Sequence, residues 1–322
     1  LTADDAATTS IIGSEAVDTI TGGTGADTIK GGAGADILDG EAGDDTLTGG
    51  ADVDVFTIGA GDDSVTDFGN GQDTITVATG ATAAVAVTTN YVAANTNLVN
   101  ADGAAAAVFT VANDIDFDAT LEVAIASGIT ITAAGNSAGS ILKGTDQADI
   151  ITGGSGADAL TGGVGNDIIT GGGGADILTG GAGADVFSVD SGTDAVTDFA
   201  TGDELIVASG ATATVEVAAD YVAADGDILN SSTAAKAIFN IADDADFDGT
   251  LEVGTAAGIT IDATSNTAAS ILKGTDQGDI IIGGANADTL NGLLGDDTIT
   301  GGLGIDIITG NEGADTVTGG TA

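Results

Sequence analysis

Apolar positions recur every nine residues in three stretches of the chain, in fixed phase with glycine and aspartate. In 22–30 (GGTGADTIK) and 162–170 (GGVGNDIIT), glycine leads, aspartate is sixth and an aliphatic residue is eighth. The last three residues suffice for a very short strand, in which alternation buries the eighth side chain. The predicted core positions are Ile29, Leu38, Leu47, Phe56, Ile151, Leu160, Ile169, Leu178, Phe187, Ile281, Leu290, Ile299, Ile308 and Val317.

A strand of three residues is not stable alone, so the pattern predicts that successive turns stack as a solenoid. The three stretches are related by a longer repeat, because SILKGTDQADII at 140–151 returns as SILKGTDQGDII at 270–281. We therefore predict the end of a spacer at 1–12, β-rolls at 13–57, 144–188 and 274–322, and spacers at 58–143 and 189–273.

The two spacers match each other through NYVAAN at 90–95 and DYVAAD at 220–225. Alternating β-branched residues predict strands in them. The predicted strands cover 74–78, 107–112, 128–133, 237–242 and 258–263. The predicted fold is all-β, with three short parallel β-rolls alternating with two homologous β-rich spacer modules in an elongated tandem-repeat architecture.

The composition limits which partners and metal ions the chain can bind. Of the 50 acidic residues 43 are Asp, which favours turns, and the formal net charge is −46. This charge repels nucleic acid and opposes compaction, so a cationic partner is expected in the folded state. The sequence contains no His or Cys, which leaves only hard oxygen ligands. No apolar run approaches the ~20 residues of a membrane span, so direct membrane insertion is not expected.

The pattern G-G-x-G-x-D-x-U-x resembles the calcium-binding repeat of the RTX family, and it covers about 135 residues in fourteen in-phase copies and one degenerate start. The resemblance implies that two nonapeptides form one turn of a parallel β-roll, with Ca²⁺ between turns held by sixth-position Asp and turn carbonyls. The implied ligands are Asp18, Asp27, Asp36, Asp45, Asp54, Asp149, Asp158, Asp167, Asp176, Asp185, Asp279, Asp288, Asp297, Asp306 and Asp315. Stacked partners lie 18 residues apart, which gives nine pairs and at least nine possible Ca²⁺ sites.

Some positions depart from the pattern. Asp52 and Asn286 replace the fourth glycine, and Glu41, Leu293 and Asn311 replace the second, so weaker binding is expected in those turns. The opening repeats at 13–21, 144–152 and 274–282 lack the fourth glycine and are expected to cap each roll and share one ion.

Further acidic residues follow the rolls. In the tails at 61–73 and 192–204, Asp67, Asp198 and Asp203 are candidates for a capping ion, with a polar turn anchored by Phe68 or Phe199 as the alternative. Acidic turns in the spacers, at 113–118 and 243–249, mimic the start of an EF-hand loop but lack its Glu, which favours solvated turns.

Catalysis is not expected, because the sequence contains none of the usual catalytic motifs. The resemblance extends to bacterial surface-layer proteins and implies a calcium-dependent, self-assembling structural protein at the cell surface, exported by type I secretion. Two alternatives remain open: the calcium-stiffened stalk of a large secreted adhesin, and the repeat region of a secreted toxin or hydrolase.

Overall fold

A computed structural model describes residues 1–2, 7–69, 73–92, 98–100, 106–120, 127–223, 227–230, 234–250 and 257–321. All regular structure within these ranges is β-strand, and every pairing between strands is parallel, which confirms the predicted fold class. The described residues contain no helix that is long and apolar enough to cross a membrane. The chain forms two compact units, Leu1–Asp167 and Ile168–Ala322.

The described residues of the first unit form seventeen strands. They are β1 (Ser10–Ile12), β2 (Thr19–Gly23), β3 (Thr28–Ala33), β4 (Ile37–Glu41), β5 (Thr46–Ala51), β6 (Val55–Ile58), β7 (Asp62–Phe68), β8 (Thr74–Val77), β9 (Thr82–Val87), β10 (Tyr91–Val92), β11 (Leu98–Asn100), β12 (Ala106–Val111), β13 (Phe117–Asp118), β14 (Thr130–Thr132), β15 (Ile141–Lys143), β16 (Ile150–Thr152) and β17 (Ala159–Val164).

These strands form three parallel ladders, ordered β1-β3-β5-β7-β9-β12-β14-β16, β2-β4-β6-β8-β11 and β10-β13-β15-β17. In the first predicted roll, Thr28 pairs with Thr46 and Ile29 with Leu47. The stacking period is therefore two nonapeptides, as the resemblance implied.

The ladder does not stop at the first predicted spacer, because β7 pairs with β5 on one side and with β9 on the other. Stacking within the spacer uses longer turns, because Thr82 of β9 pairs with Ala106 of β12. The described residues between 58 and 143 thus continue the solenoid of the roll before them. The domain boundaries given above stay predictions.

In the second unit, the part of the chain that the structure describes forms eighteen strands. They are β18 (Ile168–Thr170), β19 (Gly173–Gly174), β20 (Ile177–Ala182), β21 (Val186–Val189), β22 (Ser191–Val196), β23 (Glu204–Val207), β24 (Thr212–Val217), β25 (Tyr221–Val222), β26 (Ile228–Asn230), β27 (Lys236–Ile241), β28 (Phe247–Asp248), β29 (Thr260–Asp262), β30 (Ile271–Lys273), β31 (Ile280–Ile282), β32 (Thr289–Leu294), β33 (Thr298–Thr300), β34 (Ile307–Glu312) and β35 (Thr316–Thr318).

The ladders of the second unit run β18-β21-β23-β26, β20-β22-β24-β27-β29-β31-β33-β35 and β25-β28-β30-β32-β34, and β19 also pairs with β22. β34 pairs only with β32 and β35 only with β33, so both are edge strands of the part that the structure describes. The strands predicted in both spacers are present as β8, β12, β14, β27 and β29.

The eighth-position residues form the core, as predicted, with two exceptions. Ile308 is half-buried and Val317 is 50 % exposed, because no strand of the described residues packs beyond their turn. Every other predicted core side chain is at most 1 % exposed.

All ten aromatic residues lie in two clusters of five. In the first unit Phe68 contacts Phe56, Tyr91 and Phe109, with ring centroids 5.0–6.3 Å apart. Phe56 and Phe187 do not end the cores of their rolls, because each is the first ring of a cluster through which the core continues into the spacer.

Candidate metal sites

Sixth-position Asp side chains of successive turns lie together. The amide of Asp27 donates to Oδ1 of Asp45 at 2.7 Å, and the amide of Asp36 donates to Oδ1 of Asp54 at 2.9 Å. The same bond joins Asp18 with Asp36, Asp149 with Asp167, Asp279 with Asp297, Asp288 with Asp306, and Asp297 with Asp315. Seven of the nine predicted pairs therefore meet. The pairs Asp158–Asp176 and Asp167–Asp185 stay predictions.

The second carboxylate oxygen is often buried without a hydrogen-bond partner. This holds for Oδ2 of Asp27, Asp36, Asp45, Asp54, Asp63, Asp194, Asp297 and Asp306. A buried anionic oxygen with no donor is costly, so a row of such atoms points to a ligand that supplies positive charge.

Glycine leaves room for that ligand. A methyl carbon built on Gly22 would lie 2.8 Å from Oδ2 of Asp27 and 2.7 Å from the carbonyl oxygen of Gly40 in the next turn. On Gly31 it would overlap Oδ2 of Asp36 and lie 2.7 Å from the Gly49 carbonyl oxygen. At Gly22 and Gly31 the missing side chain thus leaves a cradle between a carboxylate and a turn carbonyl.

The donor set of these cradles consists of oxygen alone. In the described residues no three acidic side chains are placed so that they could hold one metal ion, so a bound ion would draw on backbone carbonyls as well as carboxylates. Ca²⁺ accepts six to eight oxygen ligands of both kinds in flexible geometry. The cradles therefore fit Ca²⁺, whose charge would neutralise the stacked carboxylates.

The second position of each nonapeptide has a positive backbone φ angle in several turns, which explains why glycine is preferred there. Glu41, Leu293 and Asn311, which replace the second glycine, keep the left-handed conformation with φ of 66°, 76° and 70°. Gly50 and Gly181 at equivalent positions have φ of 111° and 104°. The turn geometry survives these replacements at a cost in backbone strain.

The Asp carboxylates near the start of the second and third rolls are hydrogen-bonded by other groups of the protein. Asp149 accepts from the Ile129 amide at 2.6 Å through Oδ1, and from the amide and hydroxyl of Thr145 at 2.6 and 2.9 Å through Oδ2. Asp279 has the same arrangement with Ile259 and Thr275. Both oxygens of Asp158 and of Asp288 also accept backbone N–H groups. Thr145 and Thr275 thus hold Asp149 and Asp279 without an ion, and backbone N–H groups do the same for Asp158 and Asp288.

Burial perturbs the carboxylates inside the rolls. It raises the pKa of Asp54 to about 7 and that of Asp63 to about 6, against the opposing effect of backbone hydrogen bonds. Neighbouring Asp charges add to the rise. Burial also raises the pKa of Asp45, Asp194 and Asp297. At neutral pH without a cation, ionisation of these groups opposes folding.

Acidification is therefore expected to stabilise the metal-free protein. A pKa raised in the folded state gives stability that is present at low pH and is lost as pH rises through the folded pKa, here about 6 to 7. Protein stripped of metal on a chelating resin should show more β-structure by far-UV circular dichroism at pH 5 than at pH 8. An equal or smaller β signal at pH 5 would contradict this.

The tail residues Asp67 and Asp198 act as backbone clamps. The carboxylate of Asp67 accepts the amides of Gly49 and Gly50 at 2.9 and 2.8 Å, and Asp198 accepts those of Gly180 and Gly181 at the same distances. Asp203 accepts the amides of Asp185 and Ala200. Because both oxygens of each carboxylate are engaged, the geometry favours the structural alternative over a capping ion.

Asp63 and Asp194 were missed in the sequence. Oδ1 of Asp63 accepts the Asp45 amide at 2.8 Å, and Oδ1 of Asp194 accepts the Asp176 amide at 3.0 Å. The signal was present, since each lies 18 residues after a recognised Asp. It was hidden because Ile58 and Val189 replace the leading glycine of a further nonapeptide.

The pair Asp62 and Asp63 tests this extension of the roll. Asp63→Asn keeps an oxygen for the Asp45 amide but removes the charge of a buried carboxylate, so we expect the bound calcium to fall by one ion, measured by equilibrium dialysis. Asp62→Asn removes the same charge at an exposed neighbour and should leave the ion count unchanged. Equal counts in the two variants would show that Asp63 is not a ligand.

In the described residues, the Asp side chains of the acidic spacer turns do not come together as a metal site would require. Asp118 forms an ion pair of 2.7 Å with Lys143, and Asp248 forms one of 2.6 Å with Lys273. Burial opposes ionisation of Asp118, but the Lys143 ammonium and the Thr120 hydroxyl outweigh it and hold the pKa of that carboxyl below its ordinary value. Lysine provides the positive charge here, which agrees with the rejection of an EF-hand.

A family model described as the RTX calcium-binding nonapeptide repeat matches residues 12–47, 34–65, 135–169, 161–196, 266–299, 273–308 and 292–321, which together make up more than half of the chain. A search of curated proteins found no significant relative.

Proposed function

Because this chain belongs to the RTX calcium-binding nonapeptide repeat family and is a calcium-binding repeat protein, we propose that it is an extracellular structural protein that calcium assembles into a bacterial surface layer or a related sheet or filament. The observation that carries this proposal is the set of buried Asp Oδ2 atoms that lack a hydrogen-bond partner in the stacked turns. They make the ordered solenoid dependent on an ion that is abundant outside cells. Export by type I secretion and residence at the cell surface belong to the same proposal.

Charge supports assembly that depends on calcium. The formal net charge is −46, so copies of the metal-free chain repel each other. Calcium in the cradles lowers this repulsion. The partners in this proposal are calcium and other copies of the chain, and neither nucleic acid nor a membrane is among them.

A structural role also agrees with the side-chain chemistry. The sequence offers no imidazole or thiol, and the perturbed Asp residues belong to the stacked turns rather than to a shared cleft. We propose no catalytic activity for this chain.

A second candidate is the calcium-stiffened stalk of an adhesin. It is favoured by the continuation of the ladder from β5 through β7 into β9, since stacking without a break suits a stiff spacer. The two functions differ in one testable respect, because a surface layer requires association between copies and a stalk does not.

Electron microscopy and light scattering with millimolar calcium, and again after chelation, test the proposal. We expect ordered sheets or filaments that dissolve reversibly when calcium is removed. A protein that binds calcium and stays monomeric at all concentrations would overturn the assembly role and favour the stalk.

A further inference from the structure

The outward side of four neighbouring strands in the first unit carries no charged side chain in its two central columns. β9, β12, β14 and β16 pair in this order, so the side chains that point away from the core line up across the strands. One column consists of Ala84, Val108, Thr130 and Ile150, and the other consists of Ala86, Thr110, Thr132 and Thr152. None of these side chains is buried. We call the two columns the neutral face.

The homologous strands of the second unit show that the fold does not require this neutrality. In β24, β27, β29 and β31 the same columns recur 130 residues later. Glu216 stands there at the position of Ala86, and Asp262 at the position of Thr132. Because the chain is rich in acidic residues and these strands accept them, the absence of charge from the neutral face calls for another reason.

The neutral face has a hollow at one end and a projection at the other. The small side chains of Ala84 and Ala86 leave a pocket of about 340 Å³ beside Ser64 and Thr66 of β7. Ile150 lies three strands away from Ala84 in the same column and is 45 % exposed. The face therefore carries both a cavity and an apolar side chain of a size that can enter it.

A twofold axis parallel to the strands, between β12 and β14, brings the neutral face of one copy onto that of a second. This axis reverses the order of the strands, so β9 faces β16 and β12 faces β14 of the other copy. No facing pair opposes two large side chains, as a self-complementary contact requires. The facing pairs are Ala84 with Ile150, Val108 with Thr130, Ala86 with Thr152, and Thr110 with Thr132.

The charge of the chain favours a second copy as the occupant of this face. Copies with a formal net charge of −46 repel each other, so they associate best where no carboxylate leaves water. Contact through the neutral columns buries none. The same contact through the homologous columns of the second unit would take Glu216 and Asp262 out of water.

We propose that the neutral face binds the neutral face of a second copy about this twofold axis, in aligned sheet-on-sheet packing. The inference rests on the proposed assembly and names one of its contacts. A contact of this symmetry closes on itself, so a sheet or filament needs a second, different contact as well. Four strands span only about 19 Å at the usual strand spacing, so the association of two isolated copies is weak.

Sedimentation velocity over a range of protein concentrations in millimolar calcium measures this contact. We expect the parent chain to associate reversibly, beginning with a dimer. Thr132→Asp should weaken the dimer at least about tenfold, because it buries a charge without a partner. The fold should accept it, since Asp262 accepts the Thr264 amide at 2.9 Å as Thr132 accepts the Ala134 amide at 3.3 Å. Ala86→Glu, which copies Glu216, is a second variant with the same expected effect.

Thr76→Asp is the matched control. It adds the same charge at a half-buried threonine of a different ladder, in the column that already holds Asp39. This variant should dimerise like the parent chain. Far-UV circular dichroism in calcium checks that the folds of the variants are equal.

A mixture of two variants tests the register of the contact. Thr110→Lys alone should also weaken the dimer, because its charge is buried without a partner. Thr110 of one copy faces Thr132 of the other, so an equimolar mixture of the Thr110→Lys and Thr132→Asp chains places Lys against Asp. The mixture should therefore associate at least about tenfold more strongly than either variant alone.

Three results would overturn the inference and leave calcium-driven assembly in place: a Thr132→Asp chain that dimerises like the parent, an equal loss for Thr76→Asp, or a mixture that associates no better than its components. A parent chain that stays monomeric would overturn both the inference and the proposed assembly.

Discussion

Gly31→Ala is expected to abolish calcium binding at one cradle and to destabilise the calcium-loaded first roll by about 1–3 kcal/mol, the usual cost of overpacking. The added methyl group overlaps Oδ2 of Asp36 and lies 2.7 Å from the Gly49 carbonyl oxygen, which is the space that an ion would take. No charge is changed, so an effect on calcium binding reports the cradle alone. Calcium-dependent urea unfolding and equilibrium dialysis measure the two effects.

Gly135→Ala is the matched control for this substitution. A methyl carbon built on Gly135 meets nothing within 4 Å, and the residue is in the first spacer rather than in a stacked Asp turn. It should keep the full ion count and nearly the full stability. If Gly31→Ala also kept both, the cradle would not be the calcium site.

Phe199→Ala is expected to destabilise the protein by about 3–5 kcal/mol, the range for removing a buried aromatic ring from a core. Phe199 is 2 % exposed, and its ring lies 6.2 Å from Phe187, 5.1 Å from Tyr221 and 5.8 Å from Phe239. Its removal leaves the roll and the spacer without the ring that joins their cores. Urea unfolding followed by tyrosine fluorescence measures the loss.

The control is Ile271→Ala, which shortens a side chain that is 46 % exposed and should cost less than about 1 kcal/mol. A comparable small loss for Phe199→Ala would mean that the aromatic cluster does not stabilise the junction between roll and spacer.

The rolls could be predicted from the sequence because their physics is local and repeated. A glycine, an Asp and an apolar residue at fixed positions determine the turn, the carboxylate and the core, and the pairing of Thr28 with Thr46 follows from the same period. The burial of Ile29 and Leu47 agrees with this prediction.

The spacers were less predictable because their turns vary in length and carry no fixed motif. The pairing of β9 with β12 joins Thr82 to Ala106, and neither residue belongs to a repeated pattern with its partner. Their strands were predicted from alternation, but their parallel stacking onto the roll depends on distant pairings that alternation does not specify.

The candidate metal sites were also predictable in part. The ligand set implied by the family resemblance placed Asp36 and Asp54 together, and the structure brings them together. The motif did not distinguish Asp149 from Asp36. Thr145 donates hydrogen bonds to Asp149, whereas Oδ2 of Asp36 is buried without a partner. This difference depends on whether a hydroxyl of the same turn reaches the carboxylate.

Far-UV circular dichroism during a calcium titration of the metal-free protein at pH 7.5 tests the central claim most directly. The account predicts a weak β signal in EGTA, because buried carboxylates such as Asp54 cannot be ionised at low cost there, and a steep, reversible gain as Ca²⁺ fills the cradles. Magnesium, which demands a more rigid octahedral site, should not replace calcium. A spectrum that is the same in EGTA and in millimolar calcium would contradict it.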